Sequence, residues 1–485
     1  MRRLQPIDVA WQPDKTSAIP VYEQIVQFIR EKAVSQTWPV GTRLPSQRAL
    51  AEAFQVNRST IVTALEKLQS LGIVTSQGSG GTIIAGTMWS LVLPTKDAWG
   101  TYLTSGSFKA NKQIVQDINR LEFTPAIVRL GTGELDPRLF PKEMMEKALE
   151  TVQHRLQALG YPEPQGHLAL REAVAGHMKT LGITVSPASI LITSGALQAL
   201  QLIAVSLVEG GSVIYTEAPT YVQSLHVFQS TGLRLQGLAM DAEGVQYWQM
   251  KKRTTATVPA VLYTIPTNHN PTGITMSAAR RNGLLAYCKE RKIPIIEDGA
   301  YEDLYFDGPK PVPLKGLDRE GLVIYLGSAS KALAPGLRIG WLIAPEPIVQ
   351  RLSDVKMQVD YGASLLSQLV LAEFLRTGMY DQYTETLRQT LRCRRDAALD
   401  VLQRYYRSFA TWHVPHGGFY IWLTLEKNVS MERLFSLAAQ AGILINPGDI
   451  YDFKQNHSLR LSYAYTTPEE FAQAAKILAA LILRM

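Results

Sequence analysis

The chemistry of this sequence centres on Lys331, in the stretch Gly327-Ser328-Ala329-Ser330-Lys331-Ala332-Leu333-Ala334-Pro335-Gly336-Leu337-Arg338. It follows an apolar run, Leu322 to Leu326, whose composition predicts a buried parallel strand. An ammonium at the end of such a strand is costly, and desolvation lowers its pKa until the neutral amine can attack an aldehyde. Ser328 and Ser330 offer hydroxyls, and Arg338 offers a planar fork suited to a phosphate. An aldehyde and a phosphate on one small molecule describe pyridoxal phosphate. Read alone, the same stretch also fits a Gly/Ser-rich surface turn with a solvated lysine.

Other candidate groups follow other apolar runs. After Ile190–Thr193 comes Ser194-Gly195-Ala196, a small-residue turn into a helix whose free N–H groups favour an anion. After the run near Ile214 comes Tyr221, an aromatic face for a ring. After Ala260–Thr264 comes Asn270, placed to hydrogen-bond a phenolic oxygen. After Ile293–Ile296 come Asp298 and Tyr301. A carboxylate facing a pyridine nitrogen keeps it protonated and makes the ring an electron sink. Asp298 alone also fits a helix N-cap.

These residues need a frame that gathers strand ends. From about residue 127, apolar runs of four to six residues alternate with longer helical patterns. That alternation predicts an α/β fold, a mostly parallel sheet with helices on both faces, which binds ligands outside the carboxyl ends of its strands.

The first ninety residues carry a different pattern. Val21, Ile25, Phe28 and Ile29 have amphipathic helical spacing. Pro39 and Gly41 break the chain, and Ser46 is placed to cap a second helix bearing Leu50 and Phe54. A third helix runs from about Arg58 to Leu71, with Ile61, Leu65 and Leu68 inward and Arg58, Ser59 and Thr60 in its first turn. Ile73–Ser76 and Thr82–Ile84 flank a glycine-rich tip, Gln77-Gly78-Ser79-Gly80-Gly81, and form a hairpin. Three helices and a wing fit a DNA reader, with a protein-interaction module as the alternative.

The 485 residues leave room for one small unit and one large unit. Net charge is +7, and residues 1–90 hold nine Lys/Arg against six Asp/Glu, which permits a polyanionic partner. The two cysteines, Cys288 and Cys393, have no metal or disulfide spacing, so no metal is expected and a reducing cytoplasm is the simplest home. No apolar signal segment follows Met1–Pro6, and Ile477–Leu483 falls far short of the ~20 residues of a membrane span.

Three segments of the head, Pro20-Val21-Tyr22-Glu23-Gln24-Ile25, Gly41 to Ala51 and Val56 to Ile61, with Gly78 to Thr82, resemble the winged helix-turn-helix of GntR-family bacterial regulators over residues 18–86. The resemblance places Arg48, Arg58, Ser59, Thr60 and Gly78 on operator DNA, with Arg43 near the phosphates. Ser46 and Arg48 would position the backbone and Arg58 would read a guanine. Residues 100–485 resemble the class I/II aminotransferases, fold type I of the pyridoxal phosphate enzymes, with a smaller C-terminal α+β part. The carrying motifs are Gly131 to Asp136, Gly160-Tyr161 and Gly417 to Trp422. Leu459-Arg460-Leu461-Ser462 completes them, beside the strand ends above.

By that likeness Lys331 forms the internal aldimine, Asp298 pairs the pyridinium, Asn270 and Tyr301 hold O3′, and Tyr221 stacks on the ring. Ser328, Ser330, Arg338, Gly195 and Ala196 hold the phosphate. Tyr161 reaches the phosphate of a neighbouring subunit in a homodimer, and Arg460 takes a substrate carboxylate. Ala196 and Leu197 stand where polar side chains are common, and Leu135 where proline is common. The combination resembles the MocR subfamily. It implies a DNA-binding head at 1–85, a linker at 86–97 and a pyridoxal phosphate unit at 98–485. That unit senses the cofactor itself or an amino compound; the alternative is a working aminotransferase carrying a DNA-binding head.

Overall fold

The computed structural model describes residues 11–17, 19–34, 37–38, 41–70, 73–76, 81–84, 108, 111–250 and 259–485. The chain divides into two compact units, Met1–Ser107 and Phe108–Met485. The linker expected at 86–97 and Gly78 at the wing tip lie outside the described residues.

The first unit contains α1 (Val21–Val34), α2 (Gln47–Ala53) and α3 (Arg58–Ser70). An antiparallel pair follows, β1 (Val74–Ser76) and β2 (Thr82–Ile84). The side chains at three-to-four spacing converge: Ile25 and Ile29 of α1, Leu50 of α2, and Ile61, Ala64 and Leu68 of α3 are almost wholly buried. Trp11 stacks on Phe28 at 4.5 Å, and Phe54 closes the aromatic end of this core. Ser46 caps α2, its hydroxyl accepting from the Ala49 N–H at 3.2 Å.

The second unit begins with α4 (Gln113–Leu121) and β3 (Val128–Arg129), then α5 (Lys142–Arg155) and α6 (Leu168–Thr180). Its large sheet comprises β4 (Ile190–Thr193), β5 (Val213–Ala218), β6 (Arg234–Asp241), β7 (Gly244–Val245), β8 (Ala260–Thr264), β9 (Ile295–Asp298), β10 (Val323–Ser328) and β11 (Gly340–Ile343). The order across it is β4-β11-β10-β9-β8-β5-β6-β7. Strands β6, β5, β8, β9 and β10 run parallel; β11 and β7 are reversed against their neighbours.

Alternation along the strands sends side chains to two cores. Ile296, Ile324, Leu326 and Leu342 face α7 (Ala196–Ser206), while Ile295 and Val323 face the opposite side, where α8 (Ala278–Arg291) packs, and Tyr325 on that side joins the core that continues into the C-terminal part. Helices therefore cover both faces, as the sequence pattern predicts. Gly327 is required by packing rather than by its own torsion: a Cβ there would sit 2.2 Å from Trp341 Nε1, its partner on β11.

Helices α9 (Leu314–Leu317), α10 (Glu346–Met357), α11 (Leu365–Arg376) and α12 (Met379–Tyr405) lead into the smaller C-terminal part. There β12 (Ala410–Trp412), β13 (Tyr420–Leu425), β15 (Asn446–Pro447) and β16 (Ser458–Ser462) form an antiparallel sheet, while β14 (Ile443–Leu444) pairs with β3. α13 (Met431–Gln440) and α14 (Pro468–Leu483) pack against it. Buried Asp136 ties the segment after β3 to this part, accepting from Arg394 at 2.7 Å and Arg138 at 2.7 Å. Among the described residues, no helix is long and apolar enough to cross a membrane.

Candidate functional site

Two adjoining cavities open at the carboxyl ends of the parallel strands. The first, about 160 Å³, is lined by Lys331, Asp298, Tyr301, Asn270 and Tyr221, and on its other side by Ser328, Ser330, Arg338, Gly195 and Ala196. Side chains that are scattered over 144 residues of sequence thus share one wall, because all but Arg338 lie at a strand end or in the segment after it, and Arg338 lies just before β11. The second cavity, about 240 Å³, shares Lys331, Tyr221 and Asn270 with the first and adds Arg460 and Tyr420.

Lys331 is half-buried, and its Nζ donates to the Gly133 carbonyl at 2.7 Å. A Cβ on Gly133 would lie 2.8 Å from the Tyr420 hydroxyl, so glycine leaves room for that hydroxyl beside the amine. The amine also lies 5.9 Å from the centre of the Tyr301 ring.

Asp298 ends β9. Burial pushes its carboxyl up, opposed by the Tyr263 hydroxyl at 2.7 Å, the Ala300 N–H at 3.1 Å and the charge of Lys331. A pyridinium placed against it would add a further favourable charge and restore the ionised form. Burial likewise pushes Tyr221 up to about 12 and Tyr301 well above its ordinary value, so both stay phenols that can donate.

A polar chain joins the two cavities. Asn270 Nδ2 donates to the Tyr301 hydroxyl at 3.4 Å, and that hydroxyl lies 2.8 Å from the Tyr420 hydroxyl. Arg460 on β16 donates from Nη1 to Asn270 Oδ1 at 2.9 Å and from Nη2 to the Gly131 carbonyl at 2.7 Å. Its guanidinium sits 4.3 Å from the Tyr420 ring centre and 4.7 Å from that of Tyr451. A buried cation with so many neutral partners is poised for a carboxylate.

The phosphate-sized end is built from backbone. Gly195 caps α7 at φ +89° and ψ 165°, and a Cβ there would meet Arg338 Nη2 at 2.8 Å. Arg338 itself is in the left-handed region at φ 54° and donates to the Ser194 carbonyl at 3.2 Å. Ser328 Oγ accepts from the Ser330 N–H at 3.1 Å. Helix N–H groups, two hydroxyls and a guanidinium are the donor set an organic phosphate needs, and the carboxylate, phenols and amine beyond them suit a hydroxypyridine aldehyde. The residues present fit pyridoxal phosphate.

Tyr161 is elsewhere. It is 87% exposed, its ring 5.5 Å from that of Tyr361, and it lines neither cavity. Two contributors, Tyr263 within the apolar run Ala260–Thr264 and Tyr420 within the motif Gly417 to Trp422, are not marked as site residues by the sequence. Their period-two positions put them on the faces of Asp298 and Arg460, a signal that register alone carries.

In the first unit, Arg43, Ser46, Arg48, Arg58 and Ser59 are exposed and Thr60 is partly so. Arg58 Nη2 donates to Gln47 Oε1 at 3.3 Å, which links the starts of α2 and α3. The Arg43 guanidinium lies beside Gly81, at the base of the hairpin.

Residues 125–478 match the family described as aminotransferase class I and II, and residues 21–84 match the bacterial regulatory proteins of the gntR family. The chain is 48% identical over 459 residues to the HTH-type transcriptional regulator YisV of Bacillus subtilis, covering 94% of this chain and 95% of that one. It is 33% identical over 441 residues to the HTH-type transcriptional regulator NorG of Staphylococcus aureus, covering 89% and 97%. Among solved structures it is similar to a Pyrococcus horikoshii kynurenine aminotransferase in complex with PMP, with TM-score 0.71, 30% identity, and coverage of 78% and 95%. It is also similar to LysN, a Thermus thermophilus α-aminoadipate aminotransferase complexed with N-(5′-phosphopyridoxyl)-L-leucine, with TM-score 0.73, 29% identity, and coverage of 80% and 99%. With a head and body each matched and relatives aligned across both, the chain belongs to the family that joins a GntR-type winged helix-turn-helix to a class I/II aminotransferase body, the architecture of the MocR subfamily.

Proposed function

We propose that this chain is a cytoplasmic transcriptional regulator that reads operator DNA with its first unit and senses an amino compound, or pyridoxal phosphate itself, with its second. The observation that carries the reading is the position of Lys331. Its amine stands where a phosphate-and-pyridine cavity meets a cavity headed by Arg460.

When bound, pyridoxal phosphate supplies an aldehyde carbon that Lys331 can hold and that an incoming primary amine can take over. Asp298 keeps the pyridine nitrogen protonated. Asn270 and Tyr301 hold the ring oxygen, and Tyr221 covers the ring. Arg338, Ser328, Ser330 and the Gly195-Ala196 turn hold the phosphate. Arg460 would orient the carboxylate of an amino acid, and the Gly133 carbonyl would accept from the Lys331 amine when that amine is free.

Regulation then needs only that the two states of Lys331 favour different domain arrangements, since an effector shifts an equilibrium by its differential affinity. Arg43, Ser46, Arg48, Arg58, Ser59, Thr60 and the wing tip at Gly78 contact DNA in this reading. The exposed Tyr161 fits a homodimer in which it reaches the partner's phosphate cradle. Retention of Lys331, Asp298, Tyr301 and Arg460 also supports a turnover reading, because that set suffices for proton transfer and carbanion stabilisation.

The test is to load the full chain with pyridoxal phosphate and follow its visible absorbance while titrating amines and amino acids, with and without operator DNA. A spectral change that stalls and alters DNA affinity supports sensing, and Lys331→Ala abolishes the starting absorbance. Repeated turnover with a keto acid supports the enzyme, and a colourless protein indifferent to added cofactor rules out both.

A further inference from the structure

The cavity beyond Lys331 carries an unusual charge. Besides Arg460, its wall includes two carboxylates, Glu122 and Glu134. Glu134 is half-exposed and lies 3.8 Å from Arg129, which meets part of its charge. Glu122, just past the end of α4, has no ion-pair partner among the described residues. Its Oε1 accepts from the Thr132 hydroxyl at 2.8 Å. Thr132 adjoins Gly133, whose carbonyl accepts from Lys331 Nζ. Two short links therefore separate the carboxylate from the reactive amine.

Apart from Arg460 and Lys331 itself, the polar wall holds no further cation among the described residues. Asn111 and Asn119 are neutral, and Asn446 is buried with its Oδ1 unpartnered, its Nδ2 donating to the Tyr451 hydroxyl at 3.0 Å. The nearby Lys112 ammonium donates to the Asp449 carbonyl at 3.3 Å. An acidic side chain entering this cavity meets like charge and an orphaned acceptor. A cationic one meets a carboxylate and an acceptor that lacks a donor.

We propose that the effector is an α-amino acid with a cationic side chain, of the lysine or ornithine class. Arg460 holds its carboxylate, its α-amine replaces Lys331, and its terminal ammonium pairs with Glu122 and donates to Asn446. In the exchange the incoming amine takes over the carbon–nitrogen double bond and Lys331 leaves as the free amine. No water, electron or further reactant is consumed. This rests on the reading that an amine displaces Lys331; it adds which amine.

The experiment uses the full chain loaded with pyridoxal phosphate, its absorbance titrated at one pH and salt with L-lysine, L-ornithine, L-norleucine, L-glutamate and L-2-aminoadipate. Lysine or ornithine should act at a concentration roughly tenfold or more below uncharged norleucine, with the two acidic amino acids weaker still. Glu122→Gln should narrow the lysine-to-norleucine ratio by about tenfold. Glu134→Gln, beside Arg129, should narrow it less. Norleucine or an acidic amino acid matching lysine overturns the proposal, as does a lysine preference that survives Glu122→Gln or collapses only in Glu134→Gln. If no amine moves the absorbance of the loaded protein, the amine-sensing reading fails and the proposal falls with it; a response with the wrong preference removes the proposal alone.

Discussion

The Tyr263 hydroxyl donates to Asp298 Oδ2 at 2.7 Å, a bond between neighbouring parallel strands. Tyr263 pairs with Ile296, so Asp298 is its diagonal neighbour two residues on, and the pleat puts both on one face. Burial raises the Asp298 carboxyl, and this phenol is the largest influence opposing that rise. Tyr263→Phe keeps the ring in the core and removes only the donor. A hydrogen bond to a charged group is worth about 1.5–3 kcal/mol. Pyridoxal phosphate affinity is therefore expected to fall by roughly tenfold or more. Equilibrium dialysis of loaded protein measures it, and an unchanged dissociation constant counts against a tuning role for Tyr263.

Gly195 and Arg338 test the phosphate end. Gly195 holds a positive φ with extended ψ, a region nearly closed to other residues, and its missing Cβ leaves room for the Arg338 guanidinium. Gly195→Ala should cost about 1–3 kcal/mol of unfolding free energy from backbone strain. It should also push the guanidinium out of the cradle. The discriminating measurement compares pyridoxal phosphate with pyridoxal: the advantage the phosphate confers should shrink in the variant. A variant that loses stability but keeps that advantage places Arg338 outside phosphate binding.

What could be read from sequence was what is local. Lys331, Asp298, Asn270 and Tyr221 each lie within about six residues of the end of an apolar run, so a strand-then-site reading finds them without knowing which strands are neighbours. Ser46 was legible as a cap because capping is a one-turn property. Tyr263 and Tyr420 were not, since each acts across a strand pair and their register is set by the whole sheet. Glu122 was hidden for a different reason. It lies past the end of α4, and only the approach of Thr132 to it brings it near Lys331. Gly327 is legible only as a glycine; its cause is the Trp341 indole on β11.

Glu217 gives a pH prediction. Burial at the end of β5 pushes its carboxyl from its ordinary 4.5 up to about 7, opposed by hydrogen bonds from the Thr264 hydroxyl and the Ile265 N–H. A carboxyl whose folded pKa is raised binds its proton more tightly in the native state. Its contribution is therefore full below about pH 4.5 and lost as pH climbs to about 7. At about 1.4 kcal/mol per unit, the loss is on the order of 3 kcal/mol. Glu217→Gln keeps an acceptor for Thr264 and Ile265 but does not titrate. Its stability relative to the wild type should thus rise between pH 4.5 and pH 8. His269, 3.9 Å away, is pushed down to about 3 by burial, and its opposite slope is common to both proteins. Urea unfolding at the two pH values decides it; parallel pH profiles would mean that Glu217 stays ionised.

The DNA-reading unit separates fold from recognition in three exposed residues. Ser46 holds the start of α2 through the Ala49 N–H, so Ser46→Ala should lower the stability of the first unit by about 1 kcal/mol. Among the described residues Arg58 is anchored only by a 3.3 Å contact to Gln47, so Arg58→Ala should leave stability within about 0.5 kcal/mol. Operator binding should nevertheless weaken by about 1–3 kcal/mol, with the gap between operator and scrambled DNA narrowing by the same amount. Arg48→Ala, removing a backbone contact, should weaken both sequences alike and lower the salt slope by about one. Fluorescence anisotropy of the full chain over a potassium chloride series reads all three. If Arg58→Ala weakens operator and scrambled DNA equally, Arg58 contacts phosphate rather than a base edge, and the base-reading role passes to Ser59 and Thr60 in the same first turn of α3.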